Sequence, residues 1–286
     1  MSRLTPKRGN YLVGLIAALA GLPACSLVVD SNRVQCSTTN ECIARGPEFA
    51  GSSCVDAVCV PEEKWRCLGV PTKAPLGPGP FHAPFVVQHL VTMDPLPGVS
   101  ARLCRKIDVT CADPVSAVLQ TDATGQVTFD VSPGFDGYAY FEGPDIIPGL
   151  FFFNPPVASN LPQAMISIGP PEVIQLLALQ AGATQEPDRA VILLAARDCT
   201  GAPAPGVSFK TTGADKQSIL FYSAQGLPSG TADQTDSAGY GGLLNAGAGS
   251  ITFTAMVAET GRQLGRATIL SRPGSITYGS VVPDGS

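Results

Sequence analysis

Apolar and polar side chains alternate over short segments of this sequence, separated by turns rich in glycine and proline. Every second residue is apolar in 99–103 and in 127–131, the pattern of strands that bury one face. An Asp-Gly pair at 136–137 precedes the apolar stretch 138–141 and favours a hairpin. Further strands are predicted from residue 190 almost to the C-terminus. The chain is therefore predicted to be mainly β.

One helix is predicted between the two groups of strands, over 171–181. Pro171 suits its first turn, Glu172 complements the positive end of the helix dipole, and Gly182 ends it. Elsewhere the 31 glycines and 26 prolines interrupt helix propensity.

A short signature occurs twice. Pro-Gly-Val-Ser stands at 97–100 and 205–208, and Thr-Asp-x-x-Gly follows at 121–125 and 235–239. The two copies lie about 110 residues apart, which indicates one structural unit used twice.

Asp122 and Asp236 in these copies are expected to cap their own turns, with Gly125 and Gly239 in the left-handed conformation. A calcium loop is the alternative, but such a loop places acidic ligands at every second residue, and they are missing here. The four residues are therefore interpreted as structural.

The repeated residues resemble the carboxypeptidase regulatory-like, or transthyretin-like, β-sandwich of extracellular bacterial proteins. The resemblance covers about 85–156 and about 188–283. It implies two tandem antiparallel β-sandwich domains, transthyretin-like or Ig-like, joined by a short helix. The second copy has Tyr-Gly-Gly at 240–242 where the first has Gln-Val-Thr at 126–128, so its strand edges are expected to differ.

The N-terminus has the organisation of a signal peptide. Arg3, Lys7 and Arg8 form a positive region, and the apolar run 11–22 is shorter than the roughly 20 residues of a spanning helix. Leu-Pro-Ala-Cys at 22–25 resembles the lipobox of bacterial lipoproteins, with proline as an uncommon second residue.

The lipobox resemblance implies cleavage before Cys25, a diacylglycerol on its sulfur and an acyl group on its new amine, with the membrane as partner. Several acyl chains anchor durably because each buried methylene adds about 0.8 kcal/mol. Ser26, rather than Asp, follows the cysteine, which favours the outer membrane in diderm bacteria. The alternative is an ordinary secretory peptide with Cys25 in a disulfide.

Eight further cysteines, an even number in an exported chain, predict disulfides. Four of them lie in a segment too small to bury a core without cross-links, and their spacing differs from that of zinc ribbons. Disulfides are therefore preferred to a metal site, with Cys36 paired to Cys54 and Cys42 to Cys59.

The other four cysteines are spread over the rest of the chain. Cys104 and Cys111 are separated by six residues and are expected to form a local bridge across a turn. Cys67 and Cys199 either pair with each other or remain free buried thiols. No metal and no cofactor is expected.

Seven segments are predicted in all, and the closely spaced prolines and glycines at 75–80 mark the linker. They are a signal peptide (1–24), a lipidated tether (25–34), a Cys-rich disulfide module (35–66), a linker (67–84), a first β-sandwich (85–168), a helical linker (169–187) and a second β-sandwich (188–286).

The charge excludes nucleic-acid binding as a function. Removal of residues 1–24 takes away three basic residues and no acids, which leaves 15 basic and 23 acidic residues and a net charge of −8. No basic run with interleaved aromatic residues remains.

No catalytic site is expected. His82 and His89 are the only histidines, and no Gly-x-Ser-x-Gly elbow accompanies them. The sequence thus favours a lipid-anchored cell-envelope protein that acts as a non-catalytic binding, adhesion or spacer module, with a protein or carbohydrate as ligand. The alternative is an envelope hydrolase acting on polysaccharide or peptide, or an accessory subunit of one.

Palmitate labelling tests the lipid anchor. The wild-type chain, expressed in a diderm bacterium, is expected to incorporate radioactive palmitate, and Cys25→Ala is expected to lose the label because the acceptor sulfur is gone. Equal labelling of the two proteins would contradict the prediction of a lipid anchor at Cys25.

Overall fold

The computed structural model describes residues 34–46, 49, 52–69 and 76–283. The signal peptide, Cys25 and most of the predicted tether lie outside the described residues. Within the described part of the chain, no helix is long and apolar enough to cross a bilayer.

The Cys-rich module is built from one short helix and one hairpin. The helix begins after Thr38, whose hydroxyl accepts the N–H of Glu41, and the hairpin strands pair antiparallel. Trp65, just beyond the hairpin, is buried in a core shared with the second repeat. The elements are α1 (Thr39–Ile43), β1 (Ser52–Val55), β2 (Val58–Pro61) and a 3-10 turn (Glu63–Trp65).

The first repeat consists of seven strands. The strands are β3 (Phe81–His89), β4 (Ser100–Arg105), β5 (Leu119–Gln120), β6 (Gln126–Val131), β7 (Gly137–Glu142), β8 (Gly149–Phe152) and β9 (Ala164–Ile168). The first strand begins inside the predicted linker because Phe81 and Ala83 continue the buried alternation of Phe85 and Val87.

The second repeat consists of one helix followed by eight strands. The helix runs from Pro171 to Gln180, and Gly182 beyond it has a φ of 75°, which agrees with the predicted start and end. The elements are α2 (Pro171–Gln180), β10 (Ala190–Ala196), β11 (Val207–Thr212), β12 (Ile219–Ala224), β13 (Leu227–Ser229), β14 (Tyr240–Ala246), β15 (Gly249–Val257), β16 (Arg262–Ser271) and β17 (Ile276–Val281).

Both repeats have the same strand connectivity. In the first, β3 lies between β6 and β9, and β7 lies between β4 and β8. In the second, β10 lies between β14 and β17, and β15 lies between β11 and β16. The mainly β fold predicted from the sequence is confirmed. The strands β9 and β17 run parallel to β3 and β10, a direction that apolar alternation does not encode.

The two sandwiches are joined edge to edge rather than only through the helix. One sheet of each repeat merges into a nine-stranded sheet of order β13-β12-β14-β10-β17-β8-β7-β4-β5. The junction is the parallel pair β8–β17, in which the N–H of Ile276 donates to the carbonyl of Pro148 at 2.9 Å. Beyond the last paired residue, Asn154 Nδ2 donates to the carbonyl of Ser280 and Ser280 Oγ donates to the carbonyl of Asn154, at 2.9 and 2.8 Å.

The nine-stranded sheet is the middle layer of the molecule, because successive residues of its strands enter different cores. Phe141 packs with residues of β3, β6 and β9, whereas its neighbour Tyr140 belongs to the core under β11, β15 and β16. Likewise Ile192 enters the second core, while Val191 packs against Ile174 of α2. The sheet β6-β3-β9 and helix α2 thus lie on one face, and the sheet β11-β15-β16 lies on the other.

Candidate functional site

The repeated threonine of the Thr-Asp-x-x-Gly signature fills the same position in both sandwiches. Thr121 Oγ1 accepts the N–H of Val99 at 2.9 Å and donates to the carbonyl of Leu96 at 2.6 Å. Thr235 Oγ1 accepts the N–H of Val207 at 2.9 Å. Both threonine side chains are buried, so each hydroxyl satisfies backbone groups that water does not reach. Thr235 Oγ1 also donates to the carbonyl of Ala204 at 2.7 Å, as Thr121 Oγ1 does to that of Leu96.

The repeated glycines are required by backbone geometry. Gly125 and Gly239 both have a φ of 72°, in the left-handed region that side chains disfavour. A Cβ at Gly125 would lie 2.4 Å from the carbonyl oxygen of Val87, and one at Gly239 would lie 2.9 Å from that of Ala196. No other residue fits either position.

The repeated aspartates are occupied by their own turns. Asp122 Oδ1 accepts the N–H groups of Thr124 and Gln126, at 2.8 and 2.9 Å. Its hydrogen bond from the Thr124 hydroxyl, together with these N–H groups, lowers the pKa of Asp122. Asp236 Oδ1 accepts the N–H of Ala238 at 3.0 Å. These contacts support the interpretation of a structural turn rather than a calcium loop.

Four disulfides use all eight described cysteines. Cys36 pairs with Cys54 and Cys42 with Cys59, as preferred from the sequence. Three of these sulfurs lie close enough together to hold a metal, but all three are consumed in the two bridges. The remaining bridges are Cys104–Cys111 and Cys67–Cys199, and the latter fastens the residue immediately after the Cys-rich module to the second repeat.

The two histidines lie apart and serve different contacts. His82 Nδ1 lies 2.8 Å from Asp130 Oδ1, with both side chains more than half exposed. His89 Nδ1 accepts the N–H groups of Val91 and Thr92. Among the described residues, neither ring is hydrogen-bonded to a serine, threonine or cysteine side chain that could act as a nucleophile.

A small apolar cavity of about 30 Å³ lies between α2 and the nine-stranded sheet. Its walls include Ile174, Val191, Phe221 and Ile276. The volume is too small for an organic ligand and the lining has no polar partner for a water molecule, so the cavity is a packing defect rather than a ligand site.

A charged aromatic cluster lies where the two repeats meet. The guanidinium carbons of Arg102 and Arg272 lie 4.6 and 4.7 Å from the centre of the Tyr140 ring. Arg102 Nη1 donates to Glu142 Oε1 at 2.6 Å. This hydrogen bond, more than any other contact, lowers the pKa of Glu142, while burial raises the pKa of Tyr140. We refer to these four residues as the arginine–tyrosine cluster.

Sequence reasoning missed the arginine–tyrosine cluster. Arg102 stands among the polar positions of the alternating segment 99–103, which marks a strand and no site, and Arg272 carries no local signal because it follows a strand far along the chain. A pair of arginines on the same ring is visible only once β7 and the turn after β16 lie together. The disulfides and turn residues, in contrast, fall at positions that the sequence singles out.

Comparison with known proteins identifies no family for this chain. The sequence matches no protein-family model and no curated protein. Among solved structures, it is similar to the shaft pilin spaA from Lactobacillus rhamnosus GG, with 13% identity and a TM-score of 0.24 over 72% of this chain and 98% of that chain. It is also similar to a streptococcal ancillary pilin, with 13% identity and a TM-score of 0.24 over 71% of this chain and 68% of that one.

A third similar structure is the minor pilin GBS52 of Streptococcus agalactiae, with 14% identity and a TM-score of 0.20 over 71% of this chain and 97% of that one. At these TM-scores the likenesses carry no inference about this chain. Its own strands, disulfides and charged groups therefore provide the basis for a functional proposal.

Removal of the repeated threonine hydroxyls tests the structural interpretation of the signature. Thr121→Val and Thr235→Val are each expected to lower the free energy of unfolding by about 1–3 kcal/mol, because each leaves a buried N–H and carbonyl without a partner. Urea denaturation measures the change. Thr268→Val, on the exposed face of β16, is the matched control and should change stability by less than about 0.5 kcal/mol. Losses no larger than the control's would contradict the interpretation.

Proposed function

We propose that this chain is a lipid-anchored protein of the bacterial cell envelope, at the outer membrane, that acts as a non-catalytic structural and binding module. The observation that carries the proposal is the pairing of the cysteines. All eight described cysteines are consumed in four disulfides, so Cys25 has no partner left within the chain. This supports lipid attachment at the lipobox over the alternative in which Cys25 joins a disulfide.

The disulfides also support the location. Disulfides persist in oxidising compartments and are rare in the cytosol, which agrees with export past the inner membrane. The Cys-rich module follows the tether directly, and Cys67, the residue immediately after that module, is joined to Cys199 of the second repeat. A force applied at the lipid would therefore reach the sandwiches through covalent bonds.

The joined sheet supports a structural role. A nine-stranded sheet that runs through both repeats leaves no hinge of single chain between them, and the merged cores on its two faces resist bending. Such a body presents whatever it binds on a rigid support. A protein or carbohydrate of the envelope is the proposed ligand.

No specific observation favours the hydrolase alternative. The exposed His82–Asp130 pair is the one histidine–carboxylate contact among the described residues, so it is the pair through which a histidine-dependent hydrolase would act. Asp113, also exposed and paired with Arg105, offers a matched carboxylate that takes no part in such a contact.

An array of peptidoglycan fragments and envelope polysaccharides distinguishes the two functions. The purified mature protein is expected to bind at least one of them saturably and to release no product, measured by binding and by mass spectrometry of the supernatant. Asp130→Asn and Asp113→Asn should behave alike. Product release by the wild type would overturn the non-catalytic proposal, and its loss in Asp130→Asn but not in Asp113→Asn would assign the reaction to the His82–Asp130 pair. Absence of any binding would overturn the binding part.

A further inference from the structure

Arg272 carries a buried guanidinium nitrogen that has no hydrogen-bond partner. Among the described residues, three buried side-chain polar atoms have no hydrogen-bond partner: Ser52 Oγ, Ser271 Oγ and Arg272 Nη1. Only the last belongs to a charged group. A buried donor without a partner destabilises the fold, and it does so more when the group is charged. An unpaired buried guanidinium nitrogen therefore calls for a partner that the chain does not supply.

Arg272 has no ion pair of its own, although its charge, like that of Arg102, helps to lower the pKa of Glu142. Glu142 is the one carboxylate of the arginine–tyrosine cluster, and Arg102 engages it at 2.6 Å. Arg272 takes part in none of the salt bridges formed by the described residues. Tyr140 is uncharged near neutral pH because burial raises its pKa above the usual value of 10. The cluster thus carries one net positive charge.

The geometry of the cluster suits a planar monoanion. A guanidinium presents parallel N–H groups that match the two oxygens of a carboxylate. The Tyr140 ring, which Arg272 faces at 4.7 Å, is a flat wall that restricts how the side chain can turn. A phosphate dianion would place a second negative charge beside Glu142, whose lowered pKa keeps it ionised at neutral pH.

The cluster exists only when the two repeats are docked. Arg102 and Tyr140 are cross-strand partners on β4 and β7 of the first repeat, whereas Arg272 lies in the turn between β16 and β17 of the second. The turn is held by its own hydrogen bond, from Ser275 Oγ to the carbonyl of Arg272 at 2.7 Å. This hydrogen bond fixes the backbone from which the Arg272 side chain starts, and a preformed turn reduces the entropy lost on binding.

We infer that Arg272, with Arg102 and Tyr140, forms a binding site for a carboxylate group at the seam between the two repeats. The inference rests on the binding role proposed above and names its ligand chemistry. It requires neither the lipid anchor nor the envelope location, so its failure and the failure of the anchor are separately observable. A free organic acid and an acidic sugar of a polysaccharide both present this group.

Titration of the purified mature chain with sodium acetate tests the site, at pH 7 and constant ionic strength. Selective ¹⁵N labelling of arginine makes the side-chain Nε–Hε resonances visible by NMR. The Arg272 and Arg102 resonances are expected to shift saturably in the wild type, and Arg272→Gln, read from the Arg102 resonance that it retains, is expected to weaken binding about tenfold or more. Arg105→Gln, which removes an exposed charge from the end of β4, should change the affinity less than about twofold.

Two further arms define the ligand. Inorganic phosphate should bind at least about tenfold more weakly than acetate, because it opposes Glu142. A galacturonate oligomer separates the two sources of the carboxylate: tighter binding than acetate assigns a polysaccharide, and equal binding assigns a free acid. Both results support the site.

Three outcomes would overturn the inference: no saturable shift in the wild type, an affinity in Arg272→Gln, read from the Arg102 resonance, equal to that of the wild type, or phosphate binding as tight as acetate. If Arg272→Gln fails to fold, Arg272→Lys retains the charge but lacks the guanidinium fork and is expected to show a similar loss. Retention of full affinity in a folded Arg272→Lys would likewise contradict a fork-shaped carboxylate site.

Discussion

The parallel pairing of β8 with β17 is the interaction on which the rest of the structure depends. Each strand is an edge of its own sandwich, and an edge strand exposes unpaired backbone groups that can pair with another strand. By pairing with each other, the two edges turn two sandwiches into one body with a shared nine-stranded sheet. The reciprocal hydrogen bonds of Asn154 and Ser280 extend the same junction.

The features that local chemistry determines could be predicted from the sequence. The turn needs a buried threonine, an aspartate that caps it and a left-handed glycine at fixed offsets. The spacing of Thr121, Asp122 and Gly125 therefore identifies the turn wherever the unit recurs. The helix over 171–180 and the mainly β fold follow from similarly local patterns. Bridges within the small Cys-rich module were predictable because few partners are within reach.

The features that depend on backbone pairing between distant segments could not be predicted. The β8–β17 junction uses N–H and carbonyl groups that every residue possesses, so no side-chain pattern marks it. The arginine–tyrosine cluster follows from that junction, because Arg272 reaches Tyr140 only after the repeats are joined. The same reasoning applies to Cys67 and Cys199, whose pairing the sequence left open and the structure shows.

Amide hydrogen exchange at Ile276 tests the joined sheet most directly. The N–H of Ile276 donates across the junction, whereas that of Ala196 is bonded within the second repeat and Ile107 is 87% exposed in a loop. Both Ile276 and Ala196 are predicted to exchange on the order of a hundredfold or more slowly than Ile107 in the native protein. Protection at Ala196 with exchange at Ile276 as fast as at Ile107 would contradict the account, because the repeats would then be folded but not joined.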